Sequence, residues 1–150
     1  MARASHGSVV DAIGMRIVDG DLATGRVLTL ADLESEYAVS RTVVREAVRV
    51  LEAMGMLAQR RRVGITVRPP ADWSALDTRL IGWQLAGRGR DQLIVNTTEL
   101  RAAIEPVAAR LSARRATDLQ RGEILRLADE LARLGAAGLG NSPEYLAADI

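Results

Sequence analysis

The stretch Val39-Ser40-Arg41-Thr42-Val43-Val44-Arg45-Glu46-Ala47-Val48-Arg49-Val50-Leu51 constrains the fold more than any other part of the chain. A Ser is placed to cap a helix, and Arg41, Arg45 and Arg49 follow four residues apart. At about 3.6 residues per turn, those three guanidinium groups line one face. Val44, Ala47, Val48 and Leu51 fall on the other face at spacings of three and four, the pattern of a buried stripe. Such a helix must seat its apolar back on a core and leave its cationic front for a polyanion. Arginine also carries the planar fork that matches a guanine edge.

The neighbouring sequence gives this helix a setting. Apolar residues at 9, 10, 13, 17 and 18 predict a first helix over 8–19, stopped near Gly20. Thr29 with Asp32 three residues later resembles a capping box and opens a second short helix that ends near Tyr37-Ala38. Ser40 caps the third, which runs to about Met54 and stops at Gly55. Two short helices joined by a tight turn, the second carrying the arginines, form a helix-turn-helix pattern. After Gly55 the period changes. Residues 56–61 and 65–68 read as strands, with Arg62-Val63-Gly64 between them, a hairpin with a basic tip. Placed directly after a recognition helix, that hairpin reads as a wing.

Pro69-Pro70 stops regular structure and marks a boundary. Beyond it, helices are expected over 73–86, from 92 to about 115 with Pro106 inside, from Thr117 to 134, and from Ser142-Pro143-Glu144 onward. The last of these has barely begun at Ile150, which is not expected of a natural domain end. The fold expected is mostly α with a small β-hairpin. A winged helix-turn-helix over 1–68 is followed by a linker and connecting helix over 69–90, then by an incomplete all-helical effector domain over 91–150.

Charge supports a nucleic-acid surface once it is divided. The net charge is +1, yet residues 41–68 hold seven Arg against Glu46 and Glu52. A basic stripe on an otherwise neutral chain is an electrostatic footprint for nucleic acid. With no Cys, disulfides, thiolate chemistry and Cys-ligated zinc are excluded. No apolar run approaches about 18 residues and no signal-peptide core opens the chain, so a cytoplasmic protein with no membrane partner is expected. All the basic residues are Arg, which reads as genomic compositional bias.

These residues resemble a known family. Val39-Ser40-Arg41-Thr42-Val43-Val44-Arg45-Glu46-Ala47, Leu51-Glu52-Ala53-Met54-Gly55-Met56-Leu57 and Gly64-Ile65-Thr66-Val67 are similar to the GntR family of bacterial transcription regulators. The second half resembles the FadR-like branch, with its all-helical FCD effector domain, through residues 100–111 and Tyr145-Leu146-Ala147-Ala148-Asp149-Ile150. Residues 73–85 look like the connecting region of members that sense sugar acids. The resemblance implies a repressor of a carboxylate or sugar-acid operon. It would bind a palindromic double-stranded operator as a homodimer and be released by a small organic acid. Three departures stand out. Leu30 and Ala31 occupy positions where many members carry Glu-Arg, whose Arg contacts DNA. Asp149 matches the Asp of the family's metal set, but its His partners are missing, since the one His is His6 near the N-terminus. Only about the first half of an FCD domain is present.

The candidate DNA contacts are Ser40, Arg41, Thr42, Val43, Arg45, Arg49, Arg61, Arg62 and Gly64, with Arg60 a further phosphate contact. Arg49 alternatively pairs with Glu46 or Glu52, and the wing arginines alternatively form a solvated tip. Arg101 either pairs with Glu105 or, as the resemblance implies, faces an effector carboxylate together with Asp149. A divalent metal such as zinc is expected only in a complete effector domain, with Asp149 one ligand. No enzymatic activity is expected, because no metal cage and no general base are present. The alternative to an operator-binding regulator is a truncated dimerisation partner, or a winged helix used for protein contact.

Overall fold

The structure, a computed structural model, describes residues 6–149. The chain divides into two compact units, the first reaching Thr97 and the second beginning at Thr98.

In the first unit α1 (His6–Val18), α2 (Leu30–Tyr37) and α3 (Arg41–Ala53) surround an aliphatic core. The inner faces are the ones the periodicity marks. Val9, Val10, Ile13 and Ile17 of α1 are buried, as are Val44, Ala47, Val48 and Leu51 of α3. Helix ends are fixed by named bonds. The Thr29 hydroxyl accepts from Asp32 N–H at 3.1 Å while Thr29 N–H donates to the Asp32 carboxylate at 3.2 Å, a complete reciprocal cap on α2. Arg16 of α1 donates to Glu36 at 2.6 Å and to the Tyr37 hydroxyl at 2.8 Å, pinning α2 to α1. The Tyr37 hydrogen bond is the main reason the Arg16 pKa lies above its ordinary value.

The wing is part of a three-stranded antiparallel sheet rather than a lone hairpin. Its strands β1 (Val27–Leu28), β2 (Leu57–Arg60) and β3 (Gly64–Val67) lie in the order β1-β3-β2. Leu28 pairs with Ile65, and Leu57 pairs with Val67, so the alternate residues Leu28, Ile65, Leu57 and Val67 enter the core. The hairpin tip is Arg61-Arg62-Val63, one residue earlier than the sequence pattern places it, with Arg62 at φ 67°. Gly64 belongs to β3. A Cβ there would stand 2.9 Å from the Leu28 carbonyl oxygen, so β1 can lie beside β3 only because residue 64 has no side chain.

The segment read as a linker is packed. After the 3-10 turn Pro70–Asp72, Ser74 N–H bonds the Met54 carbonyl at 2.9 Å and the Trp73 indole N–H bonds the Arg68 carbonyl at 3.1 Å. Helix α4 (Thr78–Ala86) starts five residues later than its apolar pattern predicts. Asp77 is its cap, accepting from Arg79 and Leu80 N–H. Leu80 and Trp83 are buried in the same core, and α4 rests on α1. There the Trp83 indole N–H donates to Asp11 at 3.2 Å, Arg79 pairs with Asp11 at 3.1 Å, and Arg88 N–H reaches Asp19 at 2.9 Å.

Helix α5 (Arg90–Arg115) contains Pro106 and spans the division between the units. In the second unit α6 (Asp118–Ala136) begins with a Thr117–Gln120 capping box, and α7 (Pro143–Asp149) with Ser142 accepting from Tyr145 N–H at 3.1 Å. These two helices pack on each other, and Leu134 is the buried hydrophobic residue there. Leu100, Ile104, Val107 and Leu111 line one side of α5 and are exposed. No helix among the described residues is long and apolar enough to cross a membrane.

Candidate nucleic-acid interface

The turn Ala38-Val39-Ser40 sets the recognition helix. Ala38 takes a left-handed conformation (φ 51°), and the N–H groups of Ala38 and Val39 both close on the Glu34 carbonyl. Ser40 then adopts the extended geometry of a helix cap, but its hydroxyl makes no capping bond. The backbone therefore follows the predicted pattern without the predicted side-chain bond. The first N–H groups of α3 keep their capacity for an outside acceptor, as helix N-termini do for phosphate.

Arg41, Thr42, Arg45 and Arg49 are exposed on the outer face of α3. Val43 is only partly so, since it packs against the core. The three arginines, alike by spacing, differ in partners. Arg41 stands 3.8 Å from Glu34, an ion pair without a hydrogen bond. Arg49 donates to Glu46 at 2.6 Å, the helical pairing weighed from sequence. Glu52, the other acid considered for Arg49, instead accepts from Gln59 N–H of the wing. Arg45 has no ion pair or side-chain hydrogen bond among the described residues, so its charge faces solvent uncompensated.

Between the start of α2, the start of α3 and the wing lies an open groove of about 600 Å³. Arg41, Arg60, Arg61 and Arg62 line it, along with Leu30 and Ala31, and no acidic residue does. The fold thus joins the helix and wing arginines, which are 20 residues apart in sequence, into one cationic surface. Leu30 and Ala31 sit within it as an apolar floor. Such a surface can neutralise backbone phosphates and present guanidinium forks to base edges.

The second-unit candidates are Arg101 and Asp149. Arg101 donates to Glu105 at 2.6 Å, and its pKa is raised first by that bond, then by the charges of Glu105 and Asp149. Arg101 thus makes its direct contact with Glu105, the helical pairing weighed from sequence, and Asp149 acts on it through charge alone. A divalent cation does not fit the residues described here. No group of three or more His, Cys, Asp or Glu could hold one among them, and the side chain of His6 lies outside them.

Comparisons with known proteins agree with this layout. A regulator from Escherichia coli K12, "Uncharacterized HTH-type transcriptional regulator YieP", is 34% identical over 127 residues, covering 84% of this chain and 55% of its own length. The "Galactonate operon transcriptional repressor" of the same organism is 34% identical over 124 residues, covering 82% and 54% respectively. The chain therefore spans about half the length of these relatives. A solved structure described by the words "Lar controls the expression of the Listeria monocytogenes agr system" has the same fold. It superposes with a TM-score of 0.58 at 16% identity, covering 99% of this chain and 60% of the other. Residues 6–67, the span of α1 through the wing, match the family described as "Bacterial regulatory proteins, gntR family". The winged helix-turn-helix domain over residues 6–67 is thus a GntR-family domain.

Proposed function

We propose that this chain is a sequence-specific DNA-binding transcription regulator and not an enzyme. It represses an operon of carboxylate or sugar-acid metabolism, binding a palindromic operator as a homodimer until a small organic acid releases it. Residues 1–68 provide the DNA contacts, and residues 91–150 form the first part of an FCD-like effector and dimerisation region. The name of the galactonate relative supports the sugar-acid class. The exposed guanidinium of Arg101, which could exchange Glu105 for a ligand carboxylate, supports an organic-acid effector.

One observation carries the DNA reading. Arg45 projects unpaired from the middle of a helix whose opposite face is sealed in the core, and Arg41, one turn earlier, lines a groove with three wing arginines. Arg41 and Thr42 approach base edges in the major groove, and Arg45 meets a base edge or a phosphate. Ser40 receives a phosphate at the helix N-terminus. Arg61 and Arg62 take phosphates from the wing, each contact adding about 0.9 to the salt slope of log K. The test is Arg45→Ala, measured by mobility shift on a duplex selected from a random-sequence library by the unaltered chain. Binding should be lost while circular dichroism stays unchanged. Undiminished affinity would remove α3 as the recognition helix, and salt-insensitive binding would point to protein contact instead.

A further inference from the structure

We infer that Glu34 positions Arg41, so that Arg41 reads a base edge rather than neutralising a phosphate. The inference rests on the DNA-binding role proposed above. Among the described residues, Glu34 Oε1 is the one buried side-chain oxygen or nitrogen with no hydrogen-bond donor. A carboxylate oxygen kept from solvent without a donor is a cost to the fold. Its one cation within ion-pair range is Arg41, at 3.8 Å.

The backbone of residue 34 is held in place. Its own carbonyl accepts the N–H groups of Ala38 and Val39, which tie residue 34 to the turn leading into α3. Its side chain is 28% exposed, whereas that of Arg41 is 66% exposed. The geometry is thus a half-buried carboxylate, on a backbone held by the turn, behind a solvent-facing guanidinium. An arginine has five N–H donors in a rigid plane. The attraction between Arg41 Nη1 and that carboxylate biases the guanidinium toward Glu34, and because no hydrogen bond is made its donors stay free for a base. That arrangement serves a bidentate contact to guanine, which demands a defined plane. It is poorly suited to a phosphate contact, which gains from positive charge and loses by having an acid beside it. Arg45, with no acid partner, and Arg49, bonded to Glu46 on the exposed surface, lack any such buried support.

The experiment compares Glu34→Gln with the unaltered chain on two duplexes: the sequence selected from a random library and an unrelated one of equal length. The operator-to-unrelated affinity ratio should fall roughly tenfold, the scale of one bidentate base contact. Affinity for the unrelated duplex should hold or rise. In an Arg41→Ala background, Glu34→Gln should change the ratio no further, because its effect passes through Arg41. Equal losses on both duplexes, an unchanged ratio, or the same effect without Arg41 would overturn the inference. Should Glu34→Gln fail to fold, Arg41→Lys provides the second arm. It keeps the charge but not the fork, so it should lose the same discrimination at an unchanged salt slope. An unaltered chain that selects no sequence defeats the DNA-binding role itself. Selection by the unaltered chain with an unaffected Glu34→Gln defeats only the role of Glu34.

Discussion

Gly14→Ala should destabilise the first unit, although an alanine in the middle of a helix normally stabilises it. Gly14 lies in α1, and its open side is filled by the Trp83 ring of α4. A Cβ built at residue 14 would collide with that ring. Even Cε3, the farthest of the three nearest ring atoms, would be 2.7 Å away. The ring has little room to yield, being 6% exposed and held by its indole N–H on Asp11 at 3.2 Å. Two terms then compete. Intrinsic helix propensity favours Ala over Gly by about 0.8–1 kcal/mol. Overpacking a filled core costs about 1–3 kcal/mol, and losing the whole tryptophan seat sets an upper bound of about 3–5 kcal/mol. The net expectation is a loss of about 1–2 kcal/mol, or roughly 5–15 °C in melting temperature for a unit of this size. Tryptophan fluorescence reports it directly, because the chain's two tryptophans, Trp73 and Trp83, both belong to the first unit. The clash is isolated by repeating the substitution in a Trp83→Leu background. With the ring gone, Gly14→Ala should become neutral or stabilise by up to about 1 kcal/mol. A rise in melting temperature for Gly14→Ala with Trp83 present would refute the α1–α4 seat.

Gly55→Ala should cost more, about 2–4 kcal/mol, because residue 55 is left-handed (φ 76°) and its Cβ would meet the Asp72 carbonyl. A shift in urea midpoint worth under about 1 kcal/mol would contradict that packing. In the second unit Glu123, Glu130 and Glu144 have lowered pKa values. The first two are lowered chiefly by hydrogen bonds from Arg126 and Arg133, and Glu144 by its own backbone N–H. A carboxyl whose folded pKa lies below its unfolded value stabilises the fold above the unfolded pKa, and this is lost as pH falls through the folded one. Helical circular dichroism should therefore decline as pH drops below about 4. Glu123→Gln with Glu130→Gln should blunt that acid response, and an identical acid profile for the double variant would argue against these pairs.

Much of this layout was legible in the sequence where the signal was periodic or a local cap. The inner face of α3, the Thr29–Asp32 box and the Ser142 start of α7 are all where the residues point. Elements set by distant partners were not legible. Strand β1 is two residues long, too short for any alternation to show, and exists because Val27 and Leu28 pair with Thr66 and Ile65. The delayed start of α4 follows from the bond of Ser74 to Met54, which commits 73–77 to a turn. Pro69-Pro70 was a sound stop signal, but nothing local told that the chain after it folds back onto α1. Glu34 was passed over for the same reason, since its proximity to Arg41 arises only once the Ala38–Ser40 turn is built.

The same distinction bears on how the arginines should be ranked. Spacing makes Arg41, Arg45 and Arg49 equivalent, but electrostatics does not. Arg49 already has a hydrogen-bonded acid on the same helix, so a phosphate would have to compete with Glu46 for it. Exposed pairs of this kind are worth little, so the competition lowers the yield of Arg49 without removing it. Arg45 gives up nothing to bind. Arg41 keeps its acid at a distance that permits attraction but no hydrogen bond, leaving its donors available. The apolar floor at Leu30 and Ala31 adds no charge to the groove, so its positive charge comes from Arg41 and the wing arginines Arg60, Arg61 and Arg62. On the proposed DNA-binding reading, affinity and discrimination are then divided between different side chains of one short helix. The first falls to the arginine with no partner and the second to the arginine with a buried one.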